Sequence, residues 1–247
     1  PINVMAMADF NCPKIAFAGG VKRFSLGNSL YDLVASQNGV EPIFLSETYR
    51  SADEIAGYSN TTFYSGRLRI ATNHDNLRVP DGMTRGIHWT DVQGEIKSGG
   101  GSGSYCSEEI DEVTRLVQNI LLDARFRGNL GVVTPFRQQA NRIRDNLYDA
   151  EIPYQTLEKK VSVDTAHGFQ GGEKDVILFS LCAGPGIPRG SLHFLREQGN
   201  LFNVAVSRAR AILHVVGNRS WAQSCGIGHI QKLTINKKAT SGSGDRG

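Results

Sequence analysis

The second half of the chain alternates short apolar stretches with segments that show helical spacing. Helices are predicted at residues 137–147 and 203–210. The apolar stretches predict strands at residues 130–134, 161–165, 176–181 and 212–216. Because apolar strands that alternate with helices are typical of parallel sheets, an α/β fold with helices on both faces of the sheet is predicted.

The carboxyl ends of such strands are where ligand-binding residues gather, in the loops that lead into the following helices. Thr134 and Thr165 are the last residues of two predicted strands. We therefore expect both side chains to lie at the edge of the sheet that binds ligand.

The first half of the chain contains two further helical patterns and one extended segment. Ser107 opens a helix whose apolar positions 110, 113, 117, 120 and 121 share one face. A second helix is predicted after Arg50, which is thereby placed at a strand-to-helix junction. Residues 86–92 are predicted to be extended, residues 4–8 to form a strand and residues 29–34 a helix.

A Gly/Ser-rich tract occupies residues 97–104 and has no apolar periodicity. Such composition predicts a mobile surface loop, which could be the tip of a hairpin or an inserted arm. The last residues, 236–247, are rich in Ser, Gly and charge and are predicted to be disordered.

Composition narrows the class of protein only slightly. The chain has 247 residues, of which 40% are hydrophobic, enough for one core or one core with a small appendage. A net charge of +3 is too small to identify a polyanion-binding protein by itself. The four cysteines lie far apart, which predicts neither a zinc site nor a disulfide framework and favours reduced thiols in the cytoplasm. No stretch has the length of a membrane span, and no signal segment is recognised.

Three segments contain most of the candidate chemistry. They are residues 45–51 (LSETYRS), 163–175 (VDTAHGFQGGEKD) and 203–210 (NVAVSRAR), and residues 132–139 (VVTPFRQQ) form a fourth. In order and spacing, the first three resemble motifs IV, V and VI of superfamily-1 helicases, in the branch of the nonsense-mediated-decay RNA helicase. The fourth resembles a nucleic-acid-contacting motif of that branch. The resemblance runs from about Leu45 to Asn218.

This resemblance implies the second RecA-like domain of an ATP-dependent helicase that translocates on single-stranded DNA or RNA. The implied fold is a RecA-like sheet of the P-loop NTPase type. Residues 41–235 would form this domain, and residues 1–40 would be a remnant of the first RecA-like domain with the linker. Residues 4–13 resemble motif III in degraded form, so no glutamine that senses the γ-phosphate is assigned there.

Two arginines are the implied catalytic residues. Arg208 would be the arginine finger, and Arg50 a second sensor of the γ-phosphate. A planar guanidinium stays charged and can hold two phosphate oxygens, which suits phosphoryl transfer. The alternative for each is a plain surface salt bridge. Arg210 would lie on the other side of a helix from Arg208, so a supporting salt bridge is expected for it.

The central motif implies contacts to the nucleotide. Gly172 would let the backbone approach the ligand closely, Glu173 would contact the ribose, and Gln170 would tie the nucleotide site to the strand-binding site. An ordinary Gly-Gly hairpin with charged flanks is the alternative.

Five residues are implied or expected to contact a single strand through its backbone: Thr134, Thr165, His167, Arg137 and Gln138. Contacts of this kind do not distinguish bases, as a motor that steps along any sequence requires. The alternatives are a structural role for His167 and a solvated first helical turn for Arg137 and Gln138.

A phosphate-cradling loop of the GxxxxGK[ST] type and a Walker-B acidic pair are both missing from the chain. We therefore expect the first RecA-like domain to belong to a longer protein and to hold ATP and Mg²⁺ there. The isolated chain is expected to be inactive. The rival hypothesis is a non-catalytic nucleic-acid-binding or scaffold protein with a RecA-like fold.

Overall fold

The computed structural model describes residues 44–99, 101, 103–123, 126–150, 152–169 and 172–235. The chain divides into two units, Pro1–Leu45 and Ser46–Gly247, and all the strands and helices of the described residues belong to the second. The predicted strand at 4–8, the predicted helix at 29–34, the tail and Gln170 lie outside the described residues.

Nine strands, eight α-helices and one 3-10 helix (His74–Asn76) are described in this unit. The strands are β1 (Glu47–Thr48), β2 (Arg69–Ile70), β3 (Gly86–Asp91), β4 (Lys97–Ser98), β5 (Ser104–Tyr105), β6 (Leu130–Thr134), β7 (Val161–Thr165), β8 (Lys174–Ser180) and β9 (Ala209–Gly217). The helices are α1 (Asp53–Phe63), α2 (Ser107–Leu122), α3 (Arg137–Asp149), α4 (Tyr154–Lys160), α5 (Arg189–Glu197), α6 (Gly199–Val206), α7 (Arg219–Ser224) and α8 (Gly228–Leu233).

A five-stranded parallel sheet forms the centre of the fold, in the order β3-β9-β8-β6-β7. Apolar side chains alternate between its faces: Val132 and Leu178 pack on one face, and Val133 and Phe179 on the other. The first face is covered by α2, α3 and α4, and the second by α1, α5, α6, α7 and α8. The predicted α/β class, with a parallel sheet covered on both faces, is confirmed.

The predicted helix at 203–210 is wrong at both ends. Helix α6 covers Gly199–Val206, and the chain is already extended from Ala209 as the first residue of β9. Ala209 is fully buried and lies opposite Lys174 of β8, so strand pairing there replaces the last helical turn. Arg210 is consequently part of a strand and not of a helix.

Helix α1 begins at Asp53 without a side-chain cap. Its N-cap residue, Ala52, offers no side-chain hydrogen bond. The hydroxyl of Ser51 instead donates to the carbonyl of Ala209 over 2.6 Å. The polar residue before the helix therefore fastens two distant segments together and leaves the helix uncapped.

The Gly/Ser tract is a short antiparallel hairpin in which β4 pairs with β5. Ser104 is fully buried, and its hydroxyl lies 2.7 Å from that of Ser191 in α5. The prediction of a mobile surface loop is thus wrong for this end of the tract, and the hairpin alternative describes it.

Helices α4, α5, α7 and α8 were not among the predicted elements.

In the part of the chain that the structure describes, no helix has both the length and the apolar character needed to span a bilayer.

Candidate functional site

Arg50, Glu173 and Arg208 come together at the amino ends of two neighbouring strands. Glu173 immediately precedes β8, and Arg208 immediately precedes β9. These strands begin side by side, because the amide of Lys174 donates to the carbonyl of Arg208 over 3.0 Å. Arg50 reaches the same place from the junction between β1 and α1.

The Arg50 segment is fastened to the end of α6 and the start of β9 by several contacts. Its guanidinium Nη1 donates to the carbonyl of Ser207 over 3.4 Å. The amide of Ala52 donates to the carbonyl of Arg210 over 2.7 Å. Together with the Ser51 hydroxyl, these bonds explain why two segments far apart in sequence present their arginines on the same surface.

Arg50 forms an ion pair with Glu173, in which Nε lies 2.5 Å from Oε1. The two side chains are 38% and 41% exposed, so the pair is open to an incoming ligand. Arg210 approaches the other carboxylate oxygen, with 4.0 Å between its Nε and Oε2. It also lies 3.3 Å from the buried carboxylate of Asp175, so the expected salt bridge of Arg210 is confirmed.

Arg208 adds a further positive charge near Arg50 and Glu173. Burial lowers the pKa of its guanidinium, the nearby charge of Arg50 lowers that pKa further, and Glu173 raises it. Its Nε is buried and has no hydrogen-bond partner among the described residues. Arginine keeps its charge in proteins, so the cluster has a surplus of positive charge, and the buried Nε donor of Arg208 is unsatisfied by the described residues.

The two remaining candidates for nucleotide contact are less informative. Gln170 lies outside the described residues. At Gly172, a Cβ would meet nothing within 4 Å. Within the described part of the chain, then, no neighbouring group requires a glycine there, and the space beside it is open.

A groove of about 800 Å³ opens at the opposite edge of the sheet, where β6 and β7 end. It is lined by the Gly/Ser hairpin, the loops after β6 and β7, and the start of α5, through Ser98, Gly101, Gly103, Pro135, Phe136, Arg137, Thr165, His167, Pro188, Gly190, Ser191 and Phe194. Of the five residues predicted to contact a strand, Arg137, Thr165 and His167 belong to this lining.

The other two predicted residues lie elsewhere. Thr134 is fully buried, and its Oγ1 has no hydrogen-bond partner among the described residues. It is the register partner of Thr165, so both side chains point to the same face of the sheet. Gln138 does not line the groove; its side chain lies under the hairpin, where a Cβ on Gly99 would come 2.6 Å from its Cγ.

Gln139, the next residue along α3, was missed by the sequence interpretation. It is fully buried, accepts a hydrogen bond from the amide of Cys106 over 2.9 Å and donates to the hydroxyl of Ser180 over 2.9 Å. Its spacing from Ile143 and Leu147 on the buried face of the helix is the signal that could have found it. The bonds tie the start of α3 to the hairpin and to the end of β8.

Two aromatic features were also missed. Phe136 and Phe194 pack against each other in the wall of the groove, with ring centroids 5.7 Å apart. Tyr49, directly before Arg50, is 64% exposed. The sequence offered no periodic signal for either feature, because each depends on how loops dock on the sheet.

The charged cluster and the groove lie at opposite edges of the sheet. The cluster adjoins the amino ends of β8 and β9, and the groove adjoins the carboxyl ends of β6 and β7. Strands of five to seven residues separate them by roughly 20 Å. Residues 166–173 connect the two sites along the sequence. The rule that ligands bind at the carboxyl ends of parallel strands predicts the groove, but it does not predict the cluster, which lies at amino ends.

Comparison with known proteins gives a family match over most of the chain. The model of the AAA domain family AAA_12 matches residues 26–220. Helicase sen1 of Schizosaccharomyces pombe is 29% identical over 77% of this chain and 11% of its own length. A regulator of nonsense transcripts 1 homolog of Arabidopsis thaliana is 27% identical over 84% of this chain and 16% of its own length.

Helicase SEN1 of Saccharomyces cerevisiae is 27% identical over 86% of this chain and 10% of its own length. The chain therefore spans only about a tenth to a sixth of the length of these relatives. The expected branch of superfamily-1 helicases is confirmed by these matches.

Proposed function

We propose, since this chain belongs to the AAA_12 family of AAA domains within the superfamily-1 helicases, that it is the second RecA-like domain of an ATP-dependent motor. The motor would translocate on single-stranded DNA or RNA. The observation that carries the proposal is the convergence of Arg50 and Arg208 around Glu173.

Two guanidinium groups facing one carboxylate are suited to the phosphates of ATP. The buried Nε of Arg208 lacks a partner among the described residues, and the Arg50–Glu173 pair is accessible, so the residues present fit a polyphosphate. Arg208 would act as the arginine finger, and Arg50 would sense the terminal phosphate. Preorganised cations at the place where charge develops are a main source of catalysis in phosphoryl transfer.

The remaining contacts to the nucleotide follow from the same cluster. Once a phosphate takes the place of Glu173 beside Arg50, the carboxylate of Glu173 becomes free to accept a hydrogen bond from the ribose. The open space beside Gly172 would admit the nucleotide close to the backbone. Gln170 would tie this site to the groove. Bound ATP with Mg²⁺ supplies the phosphoryl group whose hydrolysis drives movement.

The groove would hold the single strand. Arg137, Thr165 and His167 present a cation and two polar groups along its lining. Thr134 is fully buried and does not line the groove, so its unpartnered hydroxyl would reach the strand only after a local rearrangement. These groups can form hydrogen bonds or ion pairs with phosphate oxygens. Contacts to phosphates do not distinguish one base from another. Gln138 would contribute only after the hairpin moves, because its side chain lies under Gly99.

The proposal is tested by Arg208→Ala in the longer protein that holds the phosphate cradle. Turnover of ATP should fall by roughly 10³-fold, because an arginine finger contributes on that scale. Binding of a single strand should stay within about two-fold. Arg196→Ala is the matched control, since Arg196 is exposed on α5 and lies beside Cys225. Unaltered turnover in Arg208→Ala would remove the residue from the site.

A second measurement concerns the chain alone. Because the sequence has no GxxxxGK[ST] loop and no Walker-B acidic pair, release of phosphate from ATP by the chain alone should be negligible. Hydrolysis at the rate of an intact motor would contradict this division of labour.

A non-catalytic strand-binding protein is the second candidate, because the groove with Arg137, Thr165 and His167 lies apart from the charged cluster at the other ends of the strands. It predicts strand binding that neither ATP nor Arg208→Ala alters, and no hydrolysis in the longer protein. Strand binding by Arg208→Ala is expected to be unchanged under both candidates, so hydrolysis in the longer protein and the effect of ATP on strand binding distinguish them.

A further inference from the structure

A chain of buried hydrogen bonds connects the segments that form the walls of the groove. The side chain of Gln139 in α3 bonds to both the amide and the carbonyl of Cys106, where the hairpin ends. It also donates to the hydroxyl of Ser180, the last residue of β8, over 2.9 Å. That hydroxyl donates to Glu109 of α2 over 2.7 Å, and the same carboxylate oxygen accepts the amide of Cys182 over 2.8 Å. These residues, each at most 1% exposed, are called the Glu109 network below.

The Glu109 network lies directly behind the walls of the groove. Gln139 and Cys106 are close in sequence to Arg137 and Gly103, which line the groove from α3 and from the hairpin. At its other end, the network holds the loop after β8, which leads to the lining residue Pro188 and then into α5. The network therefore ties the hairpin and the start of α3 to the loop that carries α5.

A second contact closes this arrangement into a ring. The hydroxyl of Ser191, which lines the groove from α5, lies 2.7 Å from the hydroxyl of Ser104 in the hairpin. Both residues are buried. Helix α5 is therefore held at its own first turn by the hairpin, and through the preceding loop by Glu109. A shift of that loop would displace α5 and change the width of the groove.

Cys182 has a backbone conformation that depends on its surroundings. Its φ is 49°, in the left-handed region that residues other than glycine rarely adopt. Such conformations persist only where the surrounding structure holds them in place. The hydrogen bond from the Cys182 amide to Glu109 provides this support at the point where the chain leaves β8 and turns toward α5.

The burial of the Glu109 carboxylate is not explained by stability. Moving a carboxylate from water into an apolar interior costs free energy, and burial raises the pKa of this carboxyl accordingly. The other buried residues of α2 include Ile110 and Val113, which are apolar. An apolar residue would fill position 109 at a lower cost, so the carboxylate is better explained by the arrangement of the chain that it fixes.

From these observations we infer that Glu109 is a positioning residue for strand binding. Through the turn at Cys182 it sets the place of α5, and thereby the width of the groove, without touching the strand. The inference rests on the proposed function, because it takes the occupant of the groove to be a single strand. It assigns a role in strand binding to a residue that lies outside the four sequence motifs and does not line the groove.

The test measures the affinity of the full chain for oligo(dT) and oligo(U) of about twelve nucleotides by fluorescence anisotropy. Glu109→Met removes the acceptor and keeps an unbranched side chain of similar length, so affinity should fall about five-fold. Glu109→Gln keeps an oxygen with two lone pairs that can accept both hydrogen bonds, so affinity should stay within about two-fold of the native value. A loss with methionine and retention with glutamine would assign the effect to these hydrogen bonds.

A glycine at the turn supplies a rescue. Cys182→Gly allows the left-handed conformation without the support of Glu109. Combined with Glu109→Met, it should raise strand affinity about two-fold or more above that of Glu109→Met alone.

Val113→Ala is the matched control. Val113 lies one turn further along α2 and is fully buried among apolar side chains. Its truncation should lower the urea midpoint of unfolding and leave strand affinity unchanged. If Glu109→Met does not fold, Ser180→Ala takes its place, since it breaks the link between Gln139 and Glu109 and should weaken strand binding about two-fold or more.

The outcomes separate the two hypotheses. Absence of strand binding by the unaltered chain would contradict the proposed function and this inference with it. Strand binding by the unaltered chain, with equal affinities for Glu109→Met and Val113→Ala, would leave the function standing and overturn the role of Glu109. Native affinity in Ser180→Ala would do the same where that variant is the one tested. A loss in Glu109→Met that Cys182→Gly does not reverse would overturn the role of the turn.

Discussion

The guanidinium Nε of Arg50 lies 2.5 Å from the carboxylate of Glu173, a residue that the chain reaches only after the hairpin, three strands of the central sheet and four α-helices. Arg208 is near enough to the same pair for both charges to act on the pKa of its guanidinium, which Arg50 lowers and Glu173 raises. This relationship unites the three motifs into a single charged cluster.

The Arg50–Glu173 pair is expected to contribute little to stability. Both side chains are more than a third exposed, and solvent screens such pairs to between about 0 and 1 kcal/mol. Arg50→Ala, Glu173→Ala and the double variant should give a coupling below about 1 kcal/mol in urea unfolding. A coupling of several kcal/mol would show that the pair is structural and would weaken its assignment to a ligand site.

Glu109 should make stability fall as pH rises. Burial raises the pKa of its carboxyl to about 7 from an ordinary value of 4.5, against hydrogen bonds from Ser180 and the amide of Cys182. Between these two pH values the folded chain holds a proton that the unfolded chain has lost. The contribution of this group to the free energy of unfolding therefore decreases by about 3 kcal/mol in total across that window. Above the window it is constant.

The measurement compares the native chain with Glu109→Gln by urea unfolding at pH 5 and pH 8. The variant should gain about 2 to 3 kcal/mol relative to the native chain over that interval. His214 has the opposite effect, since burial lowers its pKa to about 4, so its stabilisation is lost as pH falls from 6.5 toward 4. Its contribution cancels in the comparison. Parallel pH curves for the two proteins would contradict the prediction.

Gln139 is expected to be a structural residue of α3. Gln139→Met would leave the amide of Cys106 and the hydroxyl of Ser180 without this partner inside the fold. Each unsatisfied buried group costs about 1 to 3 kcal/mol, so a loss of roughly 2 to 4 kcal/mol is expected. Asn141→Met on the exposed face of the same helix is the control and should change stability by less than about 0.5 kcal/mol. Equal effects of the two substitutions would refute the role of these hydrogen bonds.

Gly168 is required by the carboxylate that packs against it. A Cβ at this position would come 2.0 Å from Oδ2 of Asp164, which also accepts a hydrogen bond from the amide of Thr165 through Oδ1. Gly168→Ala should therefore displace the turn that carries Thr165 and His167, with a loss of about 1 to 3 kcal/mol in stability and weaker strand binding.

Two comparisons make the Gly168 prediction specific. Gly172→Ala, where a Cβ meets nothing within 4 Å, should change stability by less than about 0.5 kcal/mol. Asp164→Ser combined with Gly168→Ala should recover part of the lost stability, because the clash is removed. If the double variant is no more stable than Gly168→Ala, the clash is not the cause.

The central sheet was predictable from the sequence because the choice of an apolar or a polar residue at each strand position reflects whether that position is buried. Strands β6 and β7 were predicted with their observed bounds, and Thr134 and Thr165 were placed at the ends where the groove opens. Strand β6 is buried at every position and is predicted by its lack of charged residues, whereas β7, at the edge of the sheet, alternates valine with polar residues. The same reasoning found α2, whose apolar face is buried.

Contacts between distant segments were decided only by the tertiary structure. The hydrogen bond from Ser51 to Ala209 brings Arg50 to Arg208, and the pairing of Ala209 with Lys174 turns a predicted helical end into a strand. The docking of α5 against the hairpin completes the groove. Periodicity tells which residues are buried but not which buried residues meet. Sheet register and loop docking therefore placed the charged cluster and the groove at opposite edges.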